Sequence, residues 1–284
     1  MSGNAFKKLG IGPLDDPNFE PTKGVIIRVT PEIYHHIRQE IEPMLQELGD
    51  VGHWRTGSSG SWHPEHRYAV KGTHRADSGD IDVWLDADAI KEANGLPHET
   101  ALPDVKQVVA DKFNGSFIVA KAAEVHMAFP ADKEVNGLPA YYQVDFFVRH
   151  KAHTIAAHHE HDYSIKDTPY KGVDQQMAMA SLVNTIPGVP ERTYQYNGMG
   201  GELKDRATGK VITHDLDELV KMLQVPGLTS NDVGNVEGIL AKLPNGIDNP
   251  RMAQFKADMA KKNATKLKEG TADWFRIISR KIAI

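Results

Sequence analysis

The stretch Ser78-Gly79-Asp80-Ile81-Asp82-Val83-Trp84-Leu85 decides how this chain is read. Two carboxylates lie two residues apart in an otherwise apolar, strand-like run. Successive strand side chains point to opposite faces, so Asp80 and Asp82 share one face while Ile81, Val83 and Leu85 share the other. The apolar set anchors the strand in a core. The carboxylates then face outward together, where like charges repel unless a cation lies between them. Hard divalent cations prefer such oxygen ligands, and Mg²⁺ in particular combines one or two protein carboxylates with substrate phosphates. The pattern predicts a metal-dependent phosphoryl or nucleotidyl transfer site.

Working outward, Trp54-Arg55-Thr56-Gly57-Ser58 follows a predicted helix and offers backbone N–H groups and a hydroxyl to phosphate. Lys71-Gly72-Thr73 repeats the theme closer to the acids. Downstream, Tyr141-Tyr142-Gln143-Val144-Asp145-Phe146-Phe147-Val148 is a second strand-like run with one embedded acid. A carboxylate amid Val144, Phe146 and Phe147 is costly to bury without a charged partner, and a metal shared with Asp80 and Asp82 explains why it is tolerated.

A Gly-Ser turn, an Asp-x-Asp strand and a third Asp on a neighbouring strand together resemble the DNA polymerase β-like nucleotidyltransferase superfamily. The resemblance covers roughly residues 30–150. It implies Asp80, Asp82 and Asp145 as catalytic residues and ligands of Mg²⁺ or Mn²⁺. It implies a nucleoside triphosphate such as ATP as donor, held at its phosphates by the Gly-Ser turn. Gly57-Ser58 lies farther upstream of Asp80 than that turn does in the family. Either Ser61 to Val70 is an inserted loop, with Lys71-Gly72-Thr73 matching the Arg-Gly-Thr of second-messenger synthases, or Gly72-Thr73 is itself the turn. The first is preferred, because Gly57-Ser58 directly follows the helix-then-strand run that the fold requires.

Composition bounds the rest. The hydrophobic content of 40% and charged content of 25% are ordinary for a folded chain of 284 residues. The absence of cysteine excludes disulfides and thiolate metal sites. No run approaches the ~18 apolar residues of a membrane span, so no membrane partner is expected and cytoplasmic residence is the default. A net charge of −5 argues against a general polyanion binder. The segment from Arg251 onward is nevertheless basic, and it is a place for weak nucleic-acid contact or for a solvated helix face.

The expected fold is α+β: a loosely ordered arm over 1–23, a mixed-sheet palm domain over 24–150, and a mostly helical domain over 151–284. Helices are predicted over Pro31 to Leu48, with Thr30 as N-cap and Ile33, Ile37, Ile41 and Leu45 at helical spacing, and over Asp104 to Lys112. Further helices are predicted over Gly172 to Val183, Val211 to Leu223, Asn231 to Leu243, Pro250 to Lys268 and Ala272 to Ile282. Strands are predicted over 124–129 and 140–148, joined by a turn-rich 131–139. Lys171, ahead of a helix, is a candidate to reach the triphosphate. Five histidines fall between His150 and His161, and this segment is expected to link the domains with its rings exposed.

The expected reaction moves a nucleoside monophosphate to an acceptor hydroxyl by a two-metal mechanism; the acceptor is RNA, a small molecule, a protein or a second nucleotide. The competing readings are a non-catalytic nucleotide-binding scaffold of the same fold and a metal-dependent phosphohydrolase built on His161 and Asp162.

Overall fold

A computed structural model describes residues 5–14, 16, 18–113, 117–121 and 124–268. The predicted helix over Ala272 to Ile282 lies outside them. The architecture is α+β with a mixed parallel and antiparallel sheet, and the chain divides into two compact units, Met1–Ser164 and Ile165–Ile284. No helix of the described residues is long and apolar enough to cross a membrane.

In the first unit, β1 (Ile11–Pro13) and β2 (Gly24–Ile26) pair in parallel. Phe6 and Ile11 are fully buried, so the segment expected as a loose arm supplies an edge strand and a small core of its own. Helix α1 (Pro31–Glu47) starts where its cap predicts. Thr30 accepts a hydrogen bond from the Ile33 amide at 3.5 Å, and Pro31 occupies the first position, where no N–H is needed. Tyr34, Ile37, Ile41 and Leu45 form its buried face. The Tyr34 hydroxyl donates to the Trp54 carbonyl at 2.9 Å, which ties α1 to the segment ahead of the Gly-Ser turn.

That turn is α2 (Gly57–Gly60), and the acid-bearing strand is β3 (Ile81–Asp86). Helix α3 (Ala87–Ala93), where the sequence suggests only a polar connection, is capped by Asp86, whose carboxylate accepts from the Asp88 and Ala89 amides. Then come α4 (Leu102–Lys112), β4 (Phe117–Lys121), β5 (Glu124–Val135), β6 (Leu138–Arg149) and α5 (Ala152–Ala156). The expected long turn over 131–139 contracts to Asn136-Gly137. Both residues have positive φ, 54° and 77°, as a two-residue hairpin turn of matching twist requires, and both strands lengthen to meet there.

Strand β6 organises the sheet. Along one edge it pairs in parallel with β2 near Ala140 and then with β3 from Val144 to Arg149, while β5 runs antiparallel along its other edge. Ile81, Val83, Leu85, Val144, Phe146 and Val148 fill one face, in the core shared with α1 and α4. The opposite face carries Asp82, Trp84, Asp145 and Phe147. The Trp84 and Phe147 rings stack there at 5.0 Å.

The second unit is not purely helical. Helix α6 (Gly172–Val183) matches its predicted span. A three-stranded antiparallel sheet follows, made of β7 (Tyr194–Asn197), β8 (Glu202–Asp205) and β9 (Val211–Thr213). The helix expected over Val211 to Leu223 is therefore split. The β-branched Val211-Ile212-Thr213 joins the sheet, and α7 (Leu216–Met222) begins only after Asp215, whose carboxylate accepts the Glu218 amide at 2.8 Å. Helices α8 (Val236–Ala241) and α9 (Ala253–Lys268) complete the described unit.

Candidate metal centre

The parallel pairing of β3 with β6 places Asp82 directly beside Asp145 in register. Asp80, just ahead of the first residue of β3, brings its carboxylate to the same point. One ligand oxygen from each of Asp80, Asp82 and Asp145 lies within 4.8 Å of the other two, and no other His, Asp or Glu group among the described residues meets that criterion for a metal ion. Burial, then the charges of Asp80, Asp145 and Glu124, pushes the Asp82 carboxyl well above the usual carboxylate range. Such a trio of hard oxygen donors suits a divalent cation, whose charge would relieve that repulsion.

The Gly-Ser turn closes on the same point. Gly57 has φ +65°, and a Cβ built on it would lie 2.1 Å from Asp82 Oδ2. Only glycine lets the turn backbone come this close to the carboxylate. Thr56 Oγ1 donates to the Asp82 carbonyl at 3.3 Å, and Ser58 Oγ lies 2.5 Å from Ser78 Oγ, just ahead of the acids. Gly72, by contrast, has no atom within 4 Å of a built Cβ. Thr73 still joins the turn: its Oγ1 lies 3.2 Å from Ser61 Oγ, which in turn donates to the Ser58 carbonyl at 2.7 Å. Of the sequence candidates, the structure thus gathers Gly57, Ser58, Asp80, Asp82 and Asp145, with Thr73 one contact away. Lys171 belongs to the second unit, at the N-cap of α6, where its amide donates to Asp174 at 2.8 Å.

Three residues escaped the sequence reading. Gln143 Nε2 donates to both oxygens of Asp145 at 2.9 Å, and His126 Nδ1 lies 2.7 Å from Asp145 Oδ1. Gln143 shares the face of Asp145 by strand alternation, which was a readable signal. His126 sits opposite Asp145 only through the antiparallel register of β5 and β6. Tyr163, its ring under the Arg75 guanidinium at 5.0 Å, is pushed up to about 12 by burial, with Arg75 opposing and Asp82 and Asp80 adding to the rise. That response puts the phenol within the field of the acids.

The histidine-rich segment is not an exposed linker. His158 is buried, His159 stacks on Trp84 at 4.8 Å, and burial pushes neutral His161 down to about 3. His150 and His153 pair separately with Asp88 and Asp50. Asp162 binds Lys71 at 2.7 Å and the Ser164 amide at 3.0 Å, so His161 and Asp162 form no shared ligand set. His63 and His66 each accept a backbone amide at Nδ1, from Glu65 and Tyr68. A histidine that binds a metal ordinarily donates its second ring nitrogen, so this arrangement does not suit ligation. A cavity of about 330 Å³ is lined by Arg38, His53, Arg55, His63 and His153 among others, and none of the three acids lines it. Its cations are already matched: Arg38 with Glu42, Arg55 with Glu160, His153 with Asp50.

The chain matches no protein-family model and no curated protein.

Proposed function

We propose that the chain is a divalent-metal-dependent nucleotidyltransferase with a palm-type catalytic domain, moving a nucleoside monophosphate from a nucleoside triphosphate to an acceptor hydroxyl. One observation carries the reading: carboxylates from two neighbouring parallel strands and a third just ahead of β3 converge within 4.8 Å, and a glycine turn that no side chain can enter abuts one of them.

Asp80, Asp82 and Asp145 would hold Mg²⁺ or Mn²⁺. When bound, such ions neutralise charge on the attacking and leaving oxygens of an in-line displacement. Ser58 and the backbone amides of the Gly57 turn bind and orient the β- and γ-phosphates, with Thr73 bracing the turn through Ser61. The acceptor oxygen forms a bond to the α-phosphorus, the bond from that phosphorus to the β-phosphate bridging oxygen breaks, and pyrophosphate leaves. Asp145, held on the side of the attacking oxygen, would with the bound cation lower the pKa of the acceptor hydroxyl, whose proton leaves to solvent. Its place beside Asp82 in the strand register sets it on the same face as the other acids.

The test is transfer of label from α-labelled nucleoside triphosphates, with Mg²⁺ or Mn²⁺, into RNA, protein or a small product from a cell extract. The wild-type chain is expected to transfer label, and Asp82→Asn is expected to fold and transfer none. Transfer retained in Asp82→Asn would refute the reading.

A further inference from the structure

Asp145 is 6% exposed, and its carboxylate is saturated unevenly. Oδ1 accepts two hydrogen bonds, from His126 Nδ1 at 2.7 Å and from Gln143 Nε2 at 2.9 Å. Oδ2 accepts one, from the same Gln143 nitrogen at 2.9 Å. An ionised carboxylate only accepts, so Nδ1 of His126 carries the proton and the tautomer is fixed. On the far side of the ring, Phe6 meets it edge-on at 6.5 Å, and Nε2 makes no hydrogen bond among the described residues. A carboxylate oxygen offers about two lone pairs, so Oδ1 is filled and Oδ2 keeps one open.

We infer that His126 and Gln143 are positioning residues that lock the rotamer of Asp145, engage Oδ1, and leave Oδ2 as the oxygen offered to a divalent cation. The inference rests on the reading of Asp80, Asp82 and Asp145 as a metal site. It adds the outer layer that makes the site rigid. Asp82 has no comparable support: among the described residues its carboxylate receives no side-chain hydrogen bond. Asp145 is therefore better anchored than Asp82, and is fixed before any cation arrives. Partners of this kind orient the ligating atom, and their loss typically costs ~10–100-fold in metal affinity or activity.

The probe is Mn²⁺ alone, titrated into the full chain and followed by electron paramagnetic resonance, with thermal unfolding in EDTA as the check on folding. His126→Phe keeps the ring and its contact with Phe6 but removes the donor. Gln143→Met is nearly isosteric and removes the other. Both are expected to melt cooperatively and to bind Mn²⁺ ~10–100-fold more weakly than wild type. His126→Asn, whose amide N–H can stand where Nδ1–H stands, is expected to restore most of the affinity, which a purely space-filling role would not predict. Unchanged Mn²⁺ affinity in folded His126→Phe and Gln143→Met overturns the positioning role while leaving the metal site intact. Loss of cooperative melting in both variants makes the pair structural and overturns it likewise. If the wild type binds no Mn²⁺, or Asp82→Asn binds it equally well, the metal-site reading itself falls and the inference with it.

Discussion

Replacing Gly57 by alanine separates the backbone role of the turn from its approach to the acids. The new Cβ would stand 2.1 Å from Asp82 Oδ2 and 3.1 Å from Asp82 Cγ, whereas a carbon–oxygen contact relaxes at about 3.3 Å. The carboxylate must therefore retreat by about 1 Å, and a displacement of that size in a reacting group costs ~10²-fold in rate. Holding alanine at φ +65° costs about 1–2 kcal/mol, and forcing Asp82 off its rotamer adds about 0.5–1.5 kcal/mol. The sum, about 1.5–3.5 kcal/mol, lowers the melting temperature of a unit this size by about 3–14 °C. Gly72→Ala is the matched control. Its φ of 70° and ψ of −175° lie in a region essentially reserved for glycine, where a side chain costs about 1–3 kcal/mol, but nothing stands within 4 Å of its Cβ. Both variants should melt early in EDTA, and only Gly57→Ala should lose Mn²⁺ affinity in a paramagnetic-resonance titration. Wild-type affinity in Gly57→Ala, or the loss appearing in Gly72→Ala instead, would refute the assignment of Gly57-Ser58 as the turn that faces the metal.

Three more outcomes follow from named contacts. Ser58→Ala should raise KM for the nucleoside triphosphate ~10-fold, the loss of one hydrogen bond to a charged group, and lower the melting temperature because buried Ser78 loses its partner; a steady-state titration reads the first. Glu160→Ala strips partners from His53 Nε2 (3.0 Å), Arg55 Nε (3.1 Å) and the Arg67 amide (2.8 Å). It should destabilise by about 3 kcal/mol, the lower end for breaking a buried pair because Arg55 is partly exposed, and an unshifted urea midpoint would refute this. Stability should also peak near neutral pH. Burial holds His63 and His66 down to about 4 and His161 to about 3, from 6.5, so the unfolded chain takes up protons first and stability falls as pH drops below 6.5. The hydrogen bond to Asp50 raises His153 above 6.5. Its contribution is complete below 6.5 and is lost as pH rises through the raised value, so His153→Gln should flatten the alkaline limb of melting temperature against pH.

What the sequence carried was local chemistry with a strong period. The alternation around Asp82 and the cap and spacing of α1 both led directly to elements. The aromatic strand around Asp145 was equally legible because its acid broke an apolar run. The elements that escaped are short or non-local. Strands β1, β2 and β9 have three residues each, too few for alternation to register, and β1 and β2 are fixed by parallel partners distant in sequence. At Val211 to Leu223 an apolar spacing that suits a helix concealed a β-branched triplet followed by an Asp N-cap. The cap was the signal that should have divided it.

The site shows the same division between chemistry and register. Asp80-x-Asp82 is readable because strand alternation needs no partner, but the meeting of Asp82 with Asp145 depends on how β3 slides along β6. A shift of one residue would turn Asp145 to the other face, into the core of Val144, Phe146 and Val148. The observed register is the one that places two like charges side by side, an arrangement that destabilises a sheet when nothing lies between them. The apolar pattern enforces it regardless: Ile81, Val83 and Leu85 must face the core, and so must Val144, Phe146 and Val148, which leaves the acids no other side. The hydrophobic core thus presses three carboxylates together, and His126 and Gln143 hold one of them still. In the proposed reading, a divalent cation would offset the electrostatic cost of that convergence as the fourth member of the group.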